Sequence, residues 1–148
     1  MLGLLLELGV GALLTWGDER RKAKRQARDF AAGAEVRFVA CLLGDRPYCR
    51  SASLVFLWAS RSTLHFTPTE FGELHRSPIP VDRLEVLRVR PRARTDSRLV
   101  QWGWEVAECR DGDSVVLIGC APASMRHLTA VLKDQDPKGP HAEQTGVA

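Results

Sequence analysis

Read for the spacing of apolar positions, the chain divides into a head, a middle and a tail. Met1 to Trp16 is an apolar run interrupted by one charge, Glu7. It is followed at once by the basic residues Arg20, Arg21, Lys22, Lys24, Arg25 and Arg28. Residues 18–33 mix both signs of charge among good helix formers, which predicts a charged helix that Gly33 breaks. From Glu35 the period shortens to two. Glu35–Leu43 predicts a strand with partial alternation, ending at the turn signal Gly44-Asp45-Arg46-Pro47. Ser53–Trp58 predicts a second strand, apolar on both faces, and Thr63–Thr67 a third, with Leu64 and Phe66 on one face.

After a loop-like stretch at 68–77, Ile79–Arg90 predicts a short turn and a strand. Leu87 and Val89 share one face and Arg88 and Arg90 the other, a parity that Arg92 and Arg94 continue past Pro91. Arg98–Cys109 and Ser114–Cys120 then flank Asp111-Gly112, a strong hairpin signal. With Asp111 and Gly112 as the central pair, Cys109 falls opposite Ser114, Val106 opposite Leu117 and Trp104 opposite Gly119. The last element is a helix over 122–133 with Pro122 in its first turn and Met125, Leu128, Val131 and Leu132 on one stripe. Residues 134–148 have no periodicity and read as a disordered tail. The expected plan is an apolar anchor helix (1–17), a charged juxtamembrane helix (18–33), a mainly β domain with a C-terminal helix (34–133) and the tail.

The head carries the strongest statement about location. An apolar stretch of about 17 residues makes roughly 25 Å of helix against a hydrocarbon core of ~30 Å. Glu7 opposes insertion by on the order of 2.5–3.5 kcal/mol, while each Leu or Val returns about 0.3–0.6. Insertion therefore balances closely, and a helix lying in the membrane plane, bound to a partner or docked on the domain is the alternative. Glu7, protonated, suits a hydrogen bond to a second helix, and Trp16 sits where an interfacial anchor belongs. With all the basic residues after the run and none before it, a spanning segment places the N-terminus outside and the domain on the cytoplasmic side of the inner membrane. The same asymmetry argues against a secretory signal.

Composition narrows the rest. The 148 residues leave room for one domain beside the anchor, and a net charge of +3 is too mild to indicate nucleic-acid binding. Of the 21 basic residues 17 are Arg and four are Lys, the bias of a high-GC bacterial genome. Cys41, Cys49, Cys109 and Cys120 form no Cys-x-x-Cys and have no His at ligand spacing, so neither zinc nor another metal or cofactor is expected. Reduced, packed thiols are the reading that suits a cytosolic domain.

Antiparallel strands closed by one C-terminal amphipathic helix resemble the pleckstrin-homology-like (PH-like) fold. The Leu64/Phe66 strand, the Ile79-Pro80-x-x-x-Leu84-x-x-Leu87-x-Val89 stretch, the Asp-Gly hairpin and the helix over 122–133 carry the resemblance. The Ile-Pro-led segment is similar to that of bacterial and GRAM-type members. With its head, the chain resembles small actinobacterial single-pass membrane proteins with a cytoplasmic PH-like domain. The resemblance implies a mainly β (α+β) barrel or sandwich preceded by an N-terminal apolar helix; a small β-sandwich or split barrel with a packed helix is the other arrangement.

Two groups of basic residues are candidates for an anionic membrane surface: Arg20, Arg21, Lys22, Lys24, Arg25 and Arg28 in the head, and Arg88, Arg90, Arg92 and Arg94 on the strand. The competing reading is a solvated sheet edge, with Glu85 and Asp96 diluting the charge. Trp58, Trp102 and Trp104 are core fillers or an exposed patch for a peptide, and a peptide strand on the open sheet edge is a further mode. No nucleophile-elbow, zinc-protease or phosphate-loop motif occurs, and Cys41 or Cys49 with His65 is the one nucleophile pair to be drawn. The expectation is a non-enzymatic, membrane-tethered interaction module for a protein partner or anionic lipid headgroups. The alternative is a structural subunit docking into a larger membrane complex through its apolar helix.

Overall fold

A computed structural model describes residues 18–68 and 75–134. The apolar head at 1–17 and the tail at 135–148 lie outside the described residues. Helix α1 is described from 18 to 31. Gly33 ends it, with Gly33 N–H bonded to Phe30 O at 3.0 Å and Ala34 N–H to Asp29 O at 2.8 Å, the bond pair of a Schellman cap. Seven strands follow: β1 (Val36–Leu43), β2 (Ser53–Ala59), β3 (Leu64–Thr67), β4 (Ser77–Pro78), β5 (Leu84–Pro91), β6 (Glu105–Asp111) and β7 (Ser114–Cys120). Helix α2 (Pro122–Asp134) is the last described element. Its first i→i−4 bond runs from Met125 N–H to Ala121 O, so Pro122 occupies the first helical position, where a missing N–H costs nothing.

The strands form one antiparallel sheet in the order β4-β3-β2-β1-β7-β6-β5. The sheet curls into a half-barrel, and α2 touches β2, β5, β6 and β7 from its inner side. Between them lies the main core: Val36, Phe38, Ala40 and Leu42 of β1, Leu57 and Ala59 of β2, Ile118 and Cys120 of β7, and the helix stripe Met125, Leu128, Val131 and Leu132. The period-two and period-3.6 patterns in the sequence thus meet on one surface. Phe30 brings α1 onto the same core, its ring centroid 4.8 Å from that of His127 on α2, and Gln26 Nε2 donates to Arg37 O at 2.8 Å. The charged helix is therefore fastened to the β domain along its Ala23, Gln26 and Phe30 side.

Four local expectations change. The strand expected from Arg98 begins only at Glu105; residues 92–104 form a loop that folds over the outer face of β1, β7 and β6. There Val100 packs with Cys41 and Val106, flanked by Leu99, Trp104 and Leu117. This second cluster explains the broken alternation in β1, whose residues near Cys41 are covered on both sides. Second, the hairpin turns on Gly112-Asp113, with Asp111 opposite Ser114 and Val106 opposite Gly119. Gly112 alone has positive φ (+61°) there, the pattern of a type II′ turn rather than the type I′ turn that Asp-Gly suggests. Moving a turn by one residue moves every partner by two, so each side chain keeps its face. The space above Gly119 belongs to Val100, whose methyl carbons lie 3.1 and 3.3 Å from where a Cβ would stand.

Third, β5 is irregular between Val86 and Arg88. The bulge at Leu87 lets Leu84 and Val86 before it, and Val89 after it, lie opposite the inner residues Asp111, Cys109 and Ala107. Leu87 and Val89 are both exposed, and they do not form one regular alternating face. Fourth, the stretch taken as loop to Ser77 ends in the two-residue strand β4, which carries Pro78 and is followed by Pro80. Prolines at one edge and a bulge at the other are devices that discourage further strand pairing.

Candidate functional site

The basic residues of the head stand on α1. With Ala23, Gln26 and Phe30 turned inward, Arg20, Arg21, Lys22, Lys24, Arg25 and Arg28 are exposed on the rest of its circumference, together with the acids Asp18, Glu19 and Asp29. Trp16 and Glu7 lie outside the described residues.

The strand arginines have another environment. Arg88 and Arg90 share the outer face with Glu108 of β6, as the alternation implies, and both bind it. Arg88 donates from Nε and Nη2 at 2.7 and 2.9 Å, and Arg90 from Nε at 2.7 Å. Arg90 also donates to both oxygens of Asp96, at 2.7 and 2.8 Å. The Asp96 side chain is 6% exposed and that of Arg90 20%. Hydrogen bonds from Arg88 and Arg90 hold the Glu108 carboxyl down at about 2, and those from Arg90 hold Asp96 at about 2. Two cations thus face two anions, and this part of the arginine row is neutral. Asp96 is consumed in the pairing and also accepts from Ala93 N–H at 2.7 Å, so it pins the base of the 92–104 loop.

Past Pro91 the picture reverses. Arg92 donates from Nε to Val100 O at 2.6 Å and lies over the Trp102 ring, 4.0 Å from its centroid. Arg94 and Arg98 are exposed, and among the described residues Arg92, Arg94 and Arg98 make no ion pair. Trp102 is 73% exposed. The other two tryptophans among the described residues fill space: Trp104 is half-buried in the second cluster, and Trp58 is buried. The Trp58 ring carries Arg76 at 3.9 Å, and its indole N–H donates to Thr67 Oγ1 at 3.0 Å. Residue type did not separate these roles. The available signal was Gly103 between two tryptophans, a turn residue where a strand was expected.

At the far end of the sheet a buried carboxylate ties the β1–β2 loop to the β6–β7 hairpin. Tyr48 donates to Asp111 Oδ2 at 2.7 Å, and Arg46 and Arg83 flank the group with their Nε atoms at 3.7 and 3.8 Å. Burial, then the hydrogen bond to Asp111, pushes the Tyr48 phenol up. Arg46 also donates to the Asp111 carbonyl. The residues here are occupied with one another.

The thiols are poor nucleophiles. All four are buried, and burial raises each of them, Cys109 and Cys120 to about 12. His65 stands opposite Trp58, while Cys41 stands opposite Leu54, four positions further along β2 and on a different neighbouring strand. Cys49 belongs to the inner core. The drawn Cys–His pairs are not brought together. A cavity of about 10 Å³ beside Cys41, Asp96, Val100 and Gly119 has room for about one water.

Together these features define a mainly antiparallel, curled seven-strand domain with one helix on its inner side and a basic helix fastened beside it. Among the described residues no helix is long and apolar enough to cross a membrane, and no group of His, Cys, Asp and Glu is arranged to hold a metal ion. No protein-family model matches the sequence, and no curated protein matches it.

Proposed function

We propose that the chain is a non-enzymatic interaction module, tethered at the cytoplasmic face of a bacterial inner membrane, whose PH-like domain binds a protein partner or the anionic membrane surface. One observation carries the reading: in sequence the apolar run is followed at once by α1, which bears the six basic residues and is fastened to the β domain through Phe30 and Gln26. A membrane-bound head would hold the domain within about 20 Å of the surface, the length of the 14 helical residues at 18–31. Confinement of this kind raises the domain's effective concentration for anything at the same surface, without new contacts. The PH-like reading asks for a mainly β, antiparallel domain followed by a C-terminal helix, and the described residues have that coarser plan; the buried thiols disfavour a cysteine hydrolase.

Fractionation tests it, comparing the full chain with a chain that begins at Asp18 and so keeps α1. Retention of the full chain alone in the membrane through both carbonate and high-salt washes is the expected result. Release by either wash overturns the integral tether. The second reading, a structural subunit, is separated by Glu7→Leu: loss of assembly into a larger complex with retention in the membrane would favour it.

A further inference from the structure

We propose that the β5–β6 loop is a second membrane contact, in which Trp102 enters the headgroup layer of an anionic bilayer and Arg94 and Arg98 meet lipid phosphates. The inference rests on the tethered reading above and names the surface of the domain that faces the lipid. Three independent features support it.

The first is the ring. Trp102 is 73% exposed where a tryptophan ordinarily fills a core, and the following Gly103 has φ +87°, a conformation that suits glycine at the turn presenting it. Arg92 stacks on the ring and is itself held by Val100 O, so the indole is fixed before any partner arrives. A ring protruding from a turn suits a soft, flat layer better than a peptide, which needs a groove. The headgroup region is also where tryptophan is enriched.

The second is charge. The loop holds one acid, Asp96, and it is turned inward onto Arg90, leaving Arg94 and Arg98 exposed and Arg92 half-buried against Trp102. A basic residue close to an anionic leaflet favours partitioning roughly fivefold, so two give about 25-fold, weak alone and sufficient for a tethered domain.

The third is position. Pro91, Glu105, Cys120 and Ala40 lie level across the sheet, so the loop leaves in the direction of the end at which β1 begins, four residues short of Val36. The same end holds α1, through Gln26 to Arg37 O and Arg61 to Ala31 O. α1, on the inner side, and the point where the loop leaves β5 therefore lie toward the same end of the sheet, while Asp96 and Val100 fold back over the outer face beside Cys41 and Leu43.

The test reconstitutes the full chain in vesicles whose phosphatidylcholine carries brominated acyl chains, with and without phosphatidylglycerol, and reads quenching of tryptophan emission. Trp102→Phe is expected to remove one quenched component that the wild type shows only when phosphatidylglycerol is present. Arg94→Glu with Arg98→Glu, both at exposed positions, is expected to abolish the same component, and so is raising the salt to ~1 M, where charges are screened beyond about 3 Å. Equal quenching of wild type and Trp102→Phe overturns the inference. Trp16→Phe reports on the tether separately. If its quenched component is present and that of Trp102 absent, the tether stands and the loop contact falls; if the reverse holds, the loop contact stands and the tether falls. A Trp102 signal that responds to added polyglutamate and not to lipid also overturns the inference, in favour of an acidic protein partner.

Discussion

Replacing Asp96 by asparagine tests whether the strand arginines are committed inward and whether that commitment holds the 92–104 loop. The carboxylate accepts Arg90 Nη1 and Nη2 at 2.7 and 2.8 Å and Ala93 N–H at 2.7 Å, with only 6% of the side chain exposed. Asparagine keeps the shape and one acceptor but removes the charge. Hydrogen bonds to charged groups contribute about 1.5–3 kcal/mol, and breaking a fully buried pair costs about 3–5. Arg90 is 20% exposed and retains Glu108, which places the expected loss at the lower end, about 2 kcal/mol. For a domain of this size that is roughly 8 °C in Tm. Glu85→Gln is the control, because the Glu85–Arg110 pair is 60% and 51% exposed and should shift stability by less than ~0.5 kcal/mol. Acid gives a second readout. The folded carboxyl is held at about 2, below its ordinary 3.8, so its contribution is fully present above pH ~4 and is lost as pH falls towards 2. Wild type and Asp96→Asn should therefore converge over that window in denaturant titrations. A variant within ~0.5 kcal/mol of wild type at pH 7, or a gap that stays constant down to pH 2, would refute the reasoning.

Three further outcomes follow from named contacts. Gly119→Ala drives a methyl to 3.1 Å from Val100 and should cost about 1–3 kcal/mol, with Val100→Ala recovering part of it in a double-mutant cycle; additive losses would show that the two residues do not share the space. Tyr48→Phe removes the hydroxyl that donates to the buried Asp111 and should lower stability by about 1.5–3 kcal/mol in urea, and an unchanged midpoint would mean that the β1–β2 loop is held by Arg46 alone. Native protein at pH 7 should leave all four thiols unlabelled by a disulfide reagent until it is unfolded, whereas fast labelling of one Cys would reopen the hydrolase reading.

Much of the architecture was determined by the sequence through rules that act over a few residues. Period-two runs set β1 and β7, a short apolar run set β2, the Met125–Leu132 stripe and Pro122 set α2, and Gly33 set the end of α1, because pleat, helical repeat and capping geometry are local. The parity of β6 against β7 also followed from the sequence and survived the displaced turn, since side chains alternate with a fixed period. Tertiary structure alone decided the start of β6, the bulge at Leu87 and the fate of each charge and ring. Arg88 and Arg90 read as an outward basic face until the fold brings Glu108, 20 and 18 residues away, beside them. Trp58 and Trp102 are the same residue type, one buried and one exposed, because burial depends on what chain returns over each position. Salt bridges and exposure are properties of pairs distant in sequence, and local pattern carries no term for them.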